Sequence, residues 1–320
     1  MDAICLGELL IDFVCPVPDV PLIDAPRFEK APGGAPANVA VGLAKLGLST
    51  GFIGQVGADP FGQFLQRTLA EQGVDTTCLY ASPEARTTLA FVATRRDGRK
   101  DITFYRHPGA DILLRPDQID LDYLASARLF HFGSVSLSHS PAREATLHAA
   151  RIAREAGLWV SYDPNWRPTL WEDPQAAQKW IWEAITLAHI VKVAEEEWEF
   201  VTGTPDPAAG CRKILDAGPS LVVITRGERG CAFDNGLVAG EVPAFPVEVV
   251  DPLGAGDGFV AAMLRQLLKE KDLASLSPRR LQEILLYANA AGALTTQRIG
   301  VIPALPTHAE IEGFLARWGK

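Results

Sequence analysis

Short, almost wholly apolar runs recur along the chain, spaced so that one helix fits between successive runs. Residues 3–9 (AICLGEL), 51–56 (GFIGQV), 128–135 (RLFHFGSV), 158–163 (LWVSYD), 189–193 (HIVKV) and 221–225 (LVVIT) are predicted as strands. Several are apolar at nearly every position, the pattern of a strand covered on both faces of its sheet. Between them lie helical patterns with readable ends. In SPAREATLHAARIAREAG, Ser140 is the expected N-cap, Pro141 the first helical residue and Gly157 the stop. PANVAVGLAKLG has the same Pro-start, Gly-stop form. This alternation predicts an α/β fold: a doubly wound, mostly parallel sheet with helices on both faces.

Two regions break the rhythm. Residues 12–32 hold five prolines and little helical pattern. Residues 86–106, RTTLAFVATRRDGRKDITFYR, read as two strands joined around Asp97-Gly98, a hairpin signal. The segments 12–32 and 86–110 are expected to form a small β-sheet lid inserted in a single domain spanning 1–320. No internal repeat, low-complexity tract or linker divides the chain.

Composition removes several classes of function. Of 320 residues, 48% are hydrophobic and 22% charged, and the net charge is −9 with no dense Lys/Arg block. Neither nucleic acid nor an anionic membrane surface is therefore an expected partner. No apolar run approaches the roughly 18 residues of a membrane span. The opening MDAICLGELLIDF lacks the basic start and small-residue cleavage site of a signal peptide. The cysteines, at 5, 15, 78, 211 and 231, are odd in number and form no CxxC pair, which fits reduced thiols in a cytoplasmic protein. HExxH and GxxxxGK[ST] are both missing. A nicotinamide-dependent dehydrogenase would need a glycine-rich turn directly after the first strand, where ELLIDF stands instead.

Two separated glycine-rich turns remain, APGGAPAN at 31–38 and DPLGAGDGF at 251–259. A glycine-rich helix start is an anion site, because unpaired amides and the helix dipole point at the ligand. Gly254, Ala255 and Gly256 leave the backbone open to close approach. Asp257 then admits two readings. It is either a first-turn acid worth about 1 kcal/mol to its helix, or a general base. As a base it would take the proton from a hydroxyl that attacks a phosphoryl group held by the neighbouring amides.

GGAPANVAVGLAKLG (33–47) and DPLGAGDGFVAAML (251–264) resemble the two signatures of the ribokinase-like PfkB family of sugar kinases. The resemblance covers nearly the whole chain. Within the family it is greatest to fructokinases, through GELLIDF (7–13), FIGQVGADPFG (52–62), FYRHPGADILL (104–114), YDPNWR (162–167), VKVAEEE (191–197) and TRGERGC (225–231). It implies ATP-dependent phosphorylation of a sugar hydroxyl, O6 of fructose in a fructokinase. Another furanose or keto-sugar (ribose, 2-keto-3-deoxygluconate, a nucleoside) is the alternative substrate, and a non-catalytic sugar-binding regulator the alternative class.

Carried over by motif, the resemblance makes Asp257 the base and gives the phosphoryl group to the amides of Gly254, Ala255 and Gly256. Asp12, Gly33, Gly34 and Asn38 would bind sugar hydroxyls, with Arg167 and Tyr105 or Arg106 closing the pocket. Lys192, Glu197, Thr225, Gly227, Gly230 and Asn289 would face ATP, Glu197 reaching Mg2+ through water. Asp251 and the carbonyls of Leu253 and Gly300 would hold a monovalent cation such as K+. The resemblance also implies a homodimer formed through the lid. Two departures stand out: Pro252-Leu253 replace a pair of threonines, and Ala194 replaces an asparagine.

Read without the family, several of these residues have plainer roles. Asp12 fits a turn after the first strand, Asn38 a first-turn polar position, and Asn165 and Arg167 a fixed DPNWR turn. EEEWE (195–199) reads as a solvated helix face, and His131 as a packed core residue.

Overall fold

The structure is a computed structural model that describes residues 1–94 and 100–319. The Asp97-Gly98 turn lies outside the described residues. The strands are β1 (Ala3–Leu6), β2 (Leu10–Val14), β3 (Glu29–Gly33), β4 (Thr50–Gly57), β5 (Val74–Asp75), β6 (Leu79–Ser82) and β7 (Leu89–Thr94). The chain continues with β8 (Lys100–Tyr105), β9 (Leu129–Gly133), β10 (Trp159–Asp163), β11 (Ile190–Ala194), β12 (Leu221–Thr225), β13 (Cys231–Asp234) and β14 (Ala239–Val242). The main sheet runs β14-β13-β12-β11-β10-β9-β1-β4-β5, with β6 also paired to β4. From β12 to β5 the pairs are parallel; β13 and β14 add antiparallel strands at one edge. All six expected strands are in this sheet. The four that sequence missed, β5, β6, β13 and β14, have only two to four residues each, too few to show a period.

Side-chain alternation divides the core in two. Cys5, Leu129, Ile190, Leu221 and Val223 point to one face and pack against the helices Ala35–Lys45, Ala255–Leu267 and Pro278–Thr295. Ile4, Phe130, Val160, Val191 and Val222 point to the other and pack against Ala142–Glu155 and Pro174–Leu187. Both strand faces are thus out of water, which is why these runs read as continuously apolar. The helix after β9 begins at Ala142, one residue later than expected, with Pro141 in the cap position. Ser140 donates its hydroxyl to the Glu144 carboxylate and caps no amide.

β2, β3, β7 and β8 form a separate four-stranded sheet in the order β3-β2-β7-β8. Its strands come from the two arrhythmic regions, β2 starting slightly earlier, at Leu10. β7 and β8 run antiparallel, Leu89 opposite Tyr105. Phe13, on one face, stacks on Phe91 and meets Phe61 of the helix Pro60–Glu71 edge-on. That helix is tied down by Asp59, whose carboxylate accepts from the amides of Phe61, Gly62 and Thr87.

The two helices that follow the glycine turns cross at Gly42. A β-carbon there would stand 2.6 Å from the Ala261 β-carbon, so the close approach requires glycine. Gly42→Val is expected to lower stability by about 1–3 kcal/mol through overpacking, measured as a shifted urea midpoint with an unchanged slope.

Candidate functional site

The parallel strands β1, β9, β10, β11 and β12 all end on one side of the sheet, where the crevice of an open α/β fold takes its ligands. Asp163 is the last residue of β10, Lys192 lies in β11, and Thr225 is the last residue of β12. Both glycine turns open onto these strand ends.

Gly254 begins the helix Ala255–Leu267 in the left-handed region, at φ 76°, and a β-carbon on it would run into the Val301 side chain. The first helical bond runs from the Gly258 amide to the Gly254 carbonyl, at 2.9 Å. The amides of Ala255 and Gly256 have no hydrogen-bond partner among the described residues. They are free donors at the positive end of a helix dipole. Pro252 is accommodated because Asp251 forms the turn around it: Oδ1 accepts from the Leu253 amide at 3.0 Å and Oδ2 from the Gly300 amide at 2.9 Å. The residue between needs no N–H.

Asp257 is half-buried, and its Oδ2 accepts from Asn38 Nδ2 at 2.8 Å. One hydrogen bond therefore joins the two glycine turns across 219 residues of sequence. Burial pushes the Asp257 carboxyl up to about 6. The Asn38 bond and the charges of Lys192 and Arg167 oppose that rise, and Asp163 adds to it.

Behind the turn lies a buried ion pair, Lys192 Nζ to Asp163 Oδ2 at 3.0 Å. A β-carbon on Gly256 would stand 3.5 Å from Lys192 Nζ, so the ammonium sits against the bare amides. Burial works against its charge, but Asp163, Glu197 and Asp257 outweigh burial and raise its pKa. Lys192 is therefore a fixed positive charge beside these unpaired amides. Glu197 is buried near it, with Arg167 Nη1 3.9 Å from Oε1 and with Oε2 unpartnered among the described residues. Burial first, then Asp163, lifts its carboxyl to about 8. His131 is buried on the same sheet face, its Nδ1 3.1 Å from Ser161 Oγ; burial lowers its pKa to about 4, so it is neutral.

On the other side of the cleft, Gly33 lies against the Asp12 carboxylate and Gly34, at φ 116°, against the Glu8 carbonyl; a β-carbon fits at neither. Tyr105 is 62% exposed and edge-on to Phe91. Arg106 turns inward instead: its guanidinium meets Asp111 at 2.6 Å and donates to Ser138 Oγ and the Val135 carbonyl. At the end of β12, Gly227 (φ 55°) has nothing within 4 Å of its β-carbon position, and Gly230 closes the turn by accepting from the Arg226 amide. Asn289 spends its amide on the carbonyls of Val242 and Pro243, each at 3.1 Å, and so fixes the loop leaving β14.

The sequence profile of the pfkB family carbohydrate kinases matches residues 2–308. The chain belongs to this family. Probable fructokinase-4 of Arabidopsis thaliana is 44% identical over 315 residues, 98% of this chain and 96% of that protein. The fructokinase of Xylella fastidiosa with bound ATP superposes with a TM-score of 0.90 at 34% identity, covering 100% of this chain and 99% of the other. A double mutant of the Vibrio cholerae O395 fructokinase, with fructose, ADP and potassium ion bound, gives 0.88 at 34% identity, with 98% of each chain covered.

In this pfkB kinase the structure brings Asn38, Asp257, the Gly254–Gly256 turn, Lys192, Glu197 and Arg167 together. Thr225, Gly227, Gly230 and Asn289 lie along the neighbouring strand ends. The buried carboxylates Glu8, Asp59, Asp111 and Asp163 were not singled out by sequence. Asp163 closes and Glu8 follows a mostly apolar strand, and an acid in that position is the available signal. Asp163→Ala is expected to destabilise the protein by about 3–5 kcal/mol, because it strands the Lys192 ammonium in the interior. Chemical denaturation beside the milder Asp163→Asn checks this.

Proposed function

We propose that the chain is an ATP-dependent fructokinase that converts D-fructose and ATP to D-fructose 6-phosphate and ADP. The observation that carries the reading is the Asn38–Asp257 hydrogen bond, which sets a carboxylate of raised pKa beside a turn of unpaired amides. The fructokinase relatives, matched end to end, support the choice of sugar.

In this reading fructose lies against Asp12, Gly33, Gly34 and Asn38, with Arg167 and Tyr105 at the mouth. Its O6–H gives the proton to Asp257. The O6–P bond forms as the bond from the γ-phosphorus to the β,γ-bridging oxygen breaks, and ADP leaves. Ala255, Gly256 and Lys192 hold the phosphoryl oxygens throughout, charge stabilisation that is strongest where water is excluded. The small sheet acts as the lid that excludes it. Thr225, Gly227 and Gly230 face the nucleotide, and Asn289 acts through the loop it fixes.

Magnesium fits the donors present. Glu197 Oε2 is an orphaned buried oxygen, and Mg2+ keeps most of its waters, so a single carboxylate suffices. Bound there, it would neutralise phosphate charge. In this reading K+ is held by Asp251 and the carbonyls of Leu253 and Gly300, in the loop that Asp251 fixes through the Leu253 and Gly300 amides. A homodimer through the small sheet and a cytoplasmic location complete the proposal; the latter fits five buried free cysteines.

Release of ADP, screened over fructose, ribose, glucose, 2-keto-3-deoxygluconate and nucleosides with Mg2+, with and without K+, tests the assignment. Fructose should give the highest kcat/KM, and a higher value for another sugar reassigns the substrate. Asp257→Asn should keep ATP and fructose binding within a few-fold and lower kcat by about 10²–10⁴-fold; near-normal turnover would remove Asp257 as the base. The base must be deprotonated to accept, so a pKa raised to about 6 makes kcat/KM fall as the pH drops through 6. A profile flat down to about pH 4, the ordinary carboxylate range, would contradict it.

A further inference from the structure

In the turn that leaves β10, Asn165 stands in the left-handed region at φ 43°, and its amide donates to Asp163 Oδ1 at 3.2 Å. A residue other than glycine keeps that conformation where its surroundings fix it. The next two residues, Trp166 and Arg167, both meet the helix Glu195–Thr202.

Trp166 lies flat on Phe200, with ring centroids 3.7 Å apart and planes within 7° of parallel. Its Nε1 is buried and has no partner among the described residues, so the stack, not a hydrogen bond, orients the ring. Arg167 Nη1 donates to the Trp166 carbonyl at 3.1 Å and stands 3.9 Å from Glu197 Oε1. Glu197 and Phe200 are three residues apart and so share one face of their helix. The stack and the ion pair are neighbouring rungs between the turn and that face.

The helix itself is firmly held. Carbonyls in a last helical turn have no partner within the helix, but here the two flanking helices supply them. Phe200 accepts from Gln178 Nε2 at 3.1 Å, Val201 from Trp182 Nε1 at 2.8 Å and Thr202 from Lys213 Nζ at 2.8 Å. Arg167, by contrast, has a side chain 34% exposed, and its ion pair is too long to be a hydrogen bond. Such a pair restrains a long side chain weakly. What fixes the guanidinium is its bond to the Trp166 carbonyl, and what fixes Trp166 is its ring.

Resting on the sugar-kinase reading above, we propose that Trp166 is a positioning residue: its stack on Phe200 holds Arg167 at the mouth of the sugar pocket, facing Glu197. Trp166 touches no reacting atom and acts through Arg167 alone.

Leucine at either ring position keeps apolar bulk but removes the stack. Trp166→Leu and Phe200→Leu should each raise KM for the preferred sugar about three- to tenfold, the worth of an aromatic pair, with KM for ATP changed less. Phe200→Leu carries the test should Trp166→Leu fail to fold. Trp166→Phe, which keeps a flat ring, should stay within about twofold of the wild type. Arg167→Ala should raise the same KM at least as far as Trp166→Leu. In the Arg167→Ala background either leucine variant should then add nothing, because the stack acts only through the guanidinium. Losses that add in that background, Trp166→Phe as impaired as Trp166→Leu, an equal rise in KM for ATP, or an unchanged sugar KM in the leucine variants would each overturn the proposal alone. A wild type that turns over none of the sugars screened overturns the reading of the site, and the proposal with it.

Discussion

The hydrogen bond from Asn38 to Asp257 is the constraint on which the site depends. Its two residues sit in the first turns of two helices that start from glycine turns far apart in sequence. For the bond to form, those helices must cross closely, which the bare Gly42 permits, and each must begin at the strand-end crevice. Gly34 and Gly254, both at positive φ, let each chain enter its helix from the required direction. Steric need and chemical need coincide at these glycines: the absence of a side chain that allows the packing also exposes the amides.

Around that bond, buried charge is arranged in a graded way. Lys192 is held ionised by three carboxylates, Asp163 most directly, while the same burial makes Asp257 and Glu197 harder to ionise. A cation fixed beside an anion hole and a carboxyl poised near neutrality are what proton abstraction and phosphoryl stabilisation require of their partners. Neither property belongs to one residue. Without Asp163, Lys192 would lose the partner that most offsets its burial.

Much of the fold was legible from periodicity. The six long strands of the main sheet are apolar on both faces because helices cover both faces, and that burial leaves its mark in the residues themselves. β13 and β14, partly exposed at a sheet edge, carry no such mark. The site was legible where backbone demands were severe, at Gly254 and Gly34, and through them at Asp257. It was hidden where a side chain's role comes from what packs against it. Arg106 reads as a pocket residue after a strand, yet Asp111 and Ser138 draw it inward. Asn289 reads as a nucleotide contact, yet its amide is spent on the backbone after β14.

By itself the sequence determined the layered α/β architecture, the two glycine turns and the acid that follows the second. These are local matters of burial period, backbone freedom and helix polarity, each written in contiguous residues. Tertiary structure decided which distant groups share a dielectric environment: that Asn38 meets Asp257, and that Asp163 holds Lys192 against the turn. Charge and hydrogen bonding act over a few ångströms of space, and only the folded chain sets those distances.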